Sequence, residues 1–102
     1  MEQEFESVVE LWQTDKSAWY FGLLPVELSA ELRELTNGMR GGFNSIRVEV
    51  RIGASVWRTS VFLDSKRACF MLPLKAEVRK AQNLSVGSHF RAAVTAIDFD
   101  LS

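Results

Sequence analysis

At 102 residues, 47% hydrophobic and 25% charged, the chain is sized for one domain over residues 1–102 and is too apolar and aromatic for a disordered segment. A formal net charge of -1 and a pI of about 5.8 leave no cationic excess for the counterion release that drives generic nucleic-acid binding. The single cysteine, Cys69, excludes an intramolecular disulfide and suits a reducing cytoplasm, and no apolar run approaches the roughly 20 residues of a membrane span.

The acidic opening, MEQEFESVVEL, lacks the cationic n-region of a secretory leader, so none is expected. Phe5 to Trp12 reads as a first strand, with Glu6 and Glu10 spaced among Val8, Val9 and Leu11. Thr14-Asp15-Lys16-Ser17 is a turn cluster, and Ala18 to Leu24 is an aromatic-rich second strand ended by Pro25, which cannot donate to a ladder. The period then changes. Leu28, Leu32 and Leu35 fall four and three apart among charged residues, which predicts a short amphipathic helix with Pro25 near its first turn and Asn37-Gly38 as its stop.

Arg40-Gly41-Gly42-Phe43 reads as a loop. Ile46, Val48, Val50 and Ile52 then alternate with Arg47, Glu49 and Arg51, the clearest half-buried strand in the chain. Gly53-Ala54 predicts a hairpin turn into a return strand, Val56 to Leu63, whose apolar residues on both faces predict cover on both sides. After the turn Asp64-Ser65-Lys66-Arg67 come a strand over Ala68 to Leu72, a break at Pro73, and a second short helix over Lys75 to Gln82. Beyond Gly87, Phe90 to Phe99 alternates as a last strand. About six strands with only two short helices provide too few crossovers for a parallel sheet, so the expected fold is mainly β, a small antiparallel β-barrel.

With these elements in place, the chain resembles the bacterial domain-of-unknown-function family 1905 from Phe5 to about Asp100. The resemblance is carried by Ala18-Trp19 with Leu24-Pro25, by Ile46-Arg47-Val48-Glu49-Val50, and by Trp57-Arg58-Thr59-Ser60. It is strongest over Leu72-Pro73-Leu74-Lys75 with Val78-Arg79-Lys80-Ala81, Leu84 and Gly87. It implies a double-split β-barrel, similar in shape to the swapped-hairpin barrels of AbrB and MazE type, and implies no reaction. Relatives often carry Gly-Asp where this chain has Gly87-Ser88.

Several residues have side chains suited to chemistry or binding. Lys75 and Arg79 are four apart and share a helix face, and two cations so placed can hold a phosphate or carboxylate, Arg79 bidentately. The plainer reading is a solvated face near a helix C-terminus. Arg47 and Arg51 flank Glu49 on one strand face with Arg58 expected opposite, an arrangement that ordinarily stabilises a sheet but can also line an anion pocket. Trp19, Trp57, Tyr20 and Phe43 are binding candidates that serve equally as barrel core. His89 is the one histidine and reads as an exposed turn end; Cys69 reads as a small buried hydrophobe. No metal-ligand spacing and no nucleophile–base arrangement is present, so no metal, cofactor or catalytic residue is assigned.

The leading expectation is a non-enzymatic cytoplasmic module that binds a small anionic or aromatic ligand, or a protein partner. Its site would combine Trp19 or Trp57 with Lys75, Arg79 and Arg47 at a barrel mouth or groove. The alternative is a nucleic-acid-binding regulatory module of AbrB/MazE shape, resting on fold analogy. A small hydrolase or isomerase comes third, because it requires a carboxylate or hydroxyl set against His89. Oligomeric state is open between monomer and dimer.

Overall fold

The computed structural model describes residues 2–36 and 45–97. Asn37-Gly38, the Arg40–Phe43 loop and Phe99 lie outside them. Seven strands and two helices follow in the order β1 (Gln3–Val8), β2 (Glu10–Gln13), β3 (Ala18–Leu23), α1 (Val26–Thr36), β4 (Ser45–Ile52), β5 (Ser55–Asp64), β6 (Cys69–Pro73), α2 (Ala76–Ala81) and β7 (His89–Ala96). The strands form one antiparallel sheet in the order β1-β7-β4-β5-β6-β3-β2, curled into a barrel-like shape.

The first expected strand is two. Its halves, consecutive in the chain, occupy opposite ends of the sheet order, so the chain passes from one edge to the other at Val9. Val9 is pinned there on both sides: its N–H donates to Ser88 O and its carbonyl accepts from Gly87 N–H, each at 2.9 Å. The edges meet again where the Ser7 hydroxyl donates to Leu23 O at 2.7 Å. Gly22 permits this approach, because a Cβ there would stand 2.5 Å from Cζ of Phe90.

The alternation of β4 is realised as read. Ile46, Val48, Val50 and Ile52 are buried, while Arg47 and Arg51 are exposed. They enter one core with Phe5, Leu24, Val61, Phe70, Leu72, Leu74, Phe90 and Val94. Gly53-Ala54 turns β4 directly into β5, with Ile52 opposite Ser55 and Gly53 at φ +57°. One expectation is corrected: β5 is not covered on both sides. Trp57 and Val61 face the core, whereas Val56 and Phe62 on the other face are exposed. The run is apolar because its outer face carries surface hydrophobics, not because a second layer covers it.

The helices close opposite ends. The leucine spacing of α1 buries Leu28 and Leu32, and Ser29, fully buried, accepts the N–H of Phe70 at 3.0 Å where β6 begins. Pro73 ends β6, and Leu74 and Val78 carry the apolar side of α2 into the core. At its C-terminal cap, Gln82 Nε2 donates to the Ser55 hydroxyl at 3.0 Å, fastening α2 to the β4–β5 hairpin. No buried side-chain polar atom among the described residues lacks a partner, and no described helix is long and apolar enough to cross a membrane.

Candidate functional site

Strand β6 is shorter than its neighbours, and that shortness creates a cleft. It pairs with β5 through Phe62–Asp64 and with β3 through Phe21–Leu23, and then leaves the sheet at Pro73. The flanking strands continue past it, β5 through Thr59, Arg58 and Trp57, and β3 through Tyr20, Trp19 and Ala18. Between them opens a cleft of about 290 Å³, roofed by Pro73, Leu74, Lys75 and Arg79. That size lies near the lower end of small-molecule sites.

Four of the five residues expected to form a site therefore line one cavity: Trp19, Trp57, Lys75 and Arg79. Trp57 is mainly core and offers the cleft one edge; Trp19 is 42% exposed and stands at its rim. Arg47 is not among the lining residues. It lies on the outer face of β4 opposite Ser60, so β5 stands between it and the cleft. The cation that joins from that part of the sheet is Arg58, and its Nε lies 3.4 Å from Glu49 Oε1, the cross-strand pair expected from the sequence.

Arg79 is held in place without being neutralised. Its Nε donates to Leu74 O at 3.0 Å, and its guanidinium carbon lies 3.6 Å from the centroid of the Tyr20 ring. Nε is thus occupied and the plane is fixed by stacking, which leaves the two terminal nitrogens to meet a ligand. The other arginines with described ion pairs differ. Arg51 contacts Glu2, Arg58 contacts Glu49, Arg67 contacts Glu10 and Asp64, and Arg91 contacts Glu4 and Glu6. Glu2, by its hydrogen bond and then its charge, also raises the pKa of Arg51 above its ordinary value. Among the described residues Arg79 has no carboxylate partner, and Lys75 has only a loose, exposed one in Glu77 at 3.9 Å.

The remaining candidates lie elsewhere. His89 is exposed at the start of β7. Cys69 is buried, with its thiol 3.3 Å from Arg67 O. No group of three or more histidine, cysteine or acidic residues suited to a metal occurs among the described residues. Trp12, not singled out by sequence, is 57% exposed and stands opposite Trp19 in the β2–β3 ladder. With Phe21 and Met71 it lines a second hollow of about 390 Å³ on the outer face. Its one sequence signal was its position at the end of the first alternating strand.

A curled antiparallel sheet, closed by two short helices and opened laterally where one strand stops short, defines a small barrel-like β domain with a cation-lined cleft. A family model described as a domain of unknown function (DUF1905) matches residues 5–94, and the chain belongs to this family. Comparison with curated proteins gives no match.

Proposed function

We propose that the protein is a non-enzymatic binding module whose lateral cleft captures an anionic ligand, either a small molecule bearing an aromatic ring or the anionic end of a protein partner. The observation that carries the reading is Arg79, immobilised on Tyr20 and on Leu74 O yet unpaired with any described carboxylate. A part-buried, pre-oriented guanidinium binds a carboxylate or phosphate at little ordering cost, and Trp19 supplies exposed flat surface beside it, with one edge of Trp57. The passage of the chain between sheet edges at Val9 supports reading the barrel as double-split. One buried, unpaired cysteine fits a bacterial cytoplasm. Nucleic-acid binding gains no such support, because Arg51, Arg58, Arg67 and Arg91 are each paired with a neighbouring carboxylate.

Benzoate and phenyl phosphate are the probes, with the fluorescence of the cleft tryptophans as the readout. Binding is expected, with Arg79→Gln weakening it roughly ten- to hundredfold, the loss of one charged hydrogen-bonding partner. A folded Arg79→Gln protein that binds both probes as wild type does would overturn the reading.

A further inference from the structure

We infer that the cleft takes the C-terminal end of an extended peptide, which enters as an added strand between β3 and β5. The inference rests on the reading that Arg79 captures an anion there, and it specifies what carries that anion.

The gap has the dimensions of a missing strand. Because Met71 of β6 pairs with Leu23 of β3 and with Phe62 of β5, these strands stand two ladder spacings apart at that level, roughly 10 Å, and β6 parts from β5 beyond it. Past Pro73 Leu74 still keeps to β3, and beyond it no described strand fills the place β6 would have held. On that side, β5 has no ladder partner among the described residues from Trp57 to Thr59, and β3 has none at Ala18 and Trp19. At Tyr20 the position is taken, since its carbonyl accepts the Leu74 N–H at 2.9 Å. Two unpaired strand edges facing each other across one strand's width suit an extended backbone better than a compact molecule, because only a backbone presents donors and acceptors to both sides at the strand repeat. Two residues, about 7 Å of extended chain, fill the stretch between Trp57–Arg58 and Ala18–Trp19, with the terminal carboxylate beyond them toward Arg79.

Charge sets the polarity. Arg79 stacks on Tyr20 and is bonded to Leu74, at the closed, Pro73 end of the gap, and Lys75 lies beside it. A peptide entering from the open end with its carboxylate against Arg79 runs parallel to both β3 and β5. The blocked end also explains a preference for a terminus, because Leu74 and α2 stand where a longer chain would have to continue.

The test uses an N-acetylated tetrapeptide library with free C-terminal carboxylates and the same library as C-terminal amides. Each is selected on the intact protein, read by mass spectrometry and compared with benzoate. The expected result is retention of carboxylate peptides at least tenfold tighter than their amides. Retention should fall at least tenfold in Arg79→Gln and in Arg79→Lys, which keeps the charge but loses the fork. The best retained peptide should slow amide hydrogen exchange at two or more of Ala18, Trp19, Trp57, Arg58 and Thr59. If benzoate binds through Arg79 while peptides bind no tighter, or protect none of these amides, the peptide inference is overturned and the anion reading stands. If amides bind as well as acids, the terminal recognition is wrong. If neither benzoate nor peptide binds, both readings fail together.

Discussion

The approach of β1 to β3 across the curled sheet depends on a missing side chain, and Gly22→Ala tests that directly. The added Cβ would lie 2.5 Å from Cζ and 2.9 Å from Cε1 of Phe90, and 3.2 Å from the Ser7 hydroxyl. Ordinary contact begins near 3.4 Å, so the ring must retreat by 3.4 − 2.5 = 0.9 Å. It has little room to do so. Phe90 is 7% exposed and packs edge-on against Phe5 at a centroid distance of 6.4 Å. Overfilling a packed core costs about 1–3 kcal/mol, and the reduced freedom of the unfolded alanine chain returns about 0.4–1 kcal/mol. The expected net loss is about 1–2 kcal/mol, or roughly 4–16 °C in Tm for a domain of this size. Urea unfolding followed by tryptophan fluorescence measures it, with the midpoint lowered and the m-value unchanged. Phe90→Leu should partly rescue Gly22→Ala, so that the double mutant is more stable than the two single losses add up to, by at least about 0.5 kcal/mol. A Gly22→Ala protein as stable as wild type, or strict additivity with Phe90→Leu, would refute the contact as the reason for glycine.

Two further substitutions probe the helical ends. Ser29→Ala leaves the buried N–H of Phe70 without an acceptor, for an expected loss of about 1–3 kcal/mol by urea unfolding and faster exchange of the Phe70 amide. Gly53→Ala places a side chain at φ +57° and a Cβ 2.5 Å from Gln82 Oε1. The left-handed backbone costs an alanine about 1–2 kcal/mol, and Gln82 must swing aside, releasing Ser55. Amide exchange in α2 should therefore quicken while β4 is unchanged; uniform loss of protection over the molecule would contradict a local latch.

Much of the fold was legible because it is written in short-range periods. The alternation of Ile46 to Ile52 specified a strand and its buried face, the leucines of α1 specified a helix and its stripe, and Gly53-Ala54 specified the turn. The residues around Leu72-Pro73-Leu74 marked both the family and the point where β6 ends. Two features were not legible. A single alternating run from Phe5 to Trp12 carries no mark of its division at Val9, since the division comes from Ser88 and Gly87, nearly eighty positions away. The outer face of β5 reads as buried from composition alone, because a side chain's polarity says nothing about whether a second layer exists to cover it.

The site divides in the same way. Composition and spacing nominated Trp19, Trp57, Lys75, Arg79 and Arg47 as side chains able to bind an anion or a ring, and they placed each on a strand or helix. Which of them meet was decided by pairing between distant strands. The β5–β6–β3 ladders bring Trp57 and Trp19 to two sides of one gap, and the exit at Pro73 swings Lys75 and Arg79 over it. The β4–β5 register, by contrast, leaves Arg47 outside and puts Arg58 at the rim. Local sequence determines conformation and facing, because those depend on neighbours three or four residues away. The sequence alone thus determined a mainly β domain with a basic helix after Pro73, and the tertiary structure determined that this helix roofs a cleft between β3 and β5.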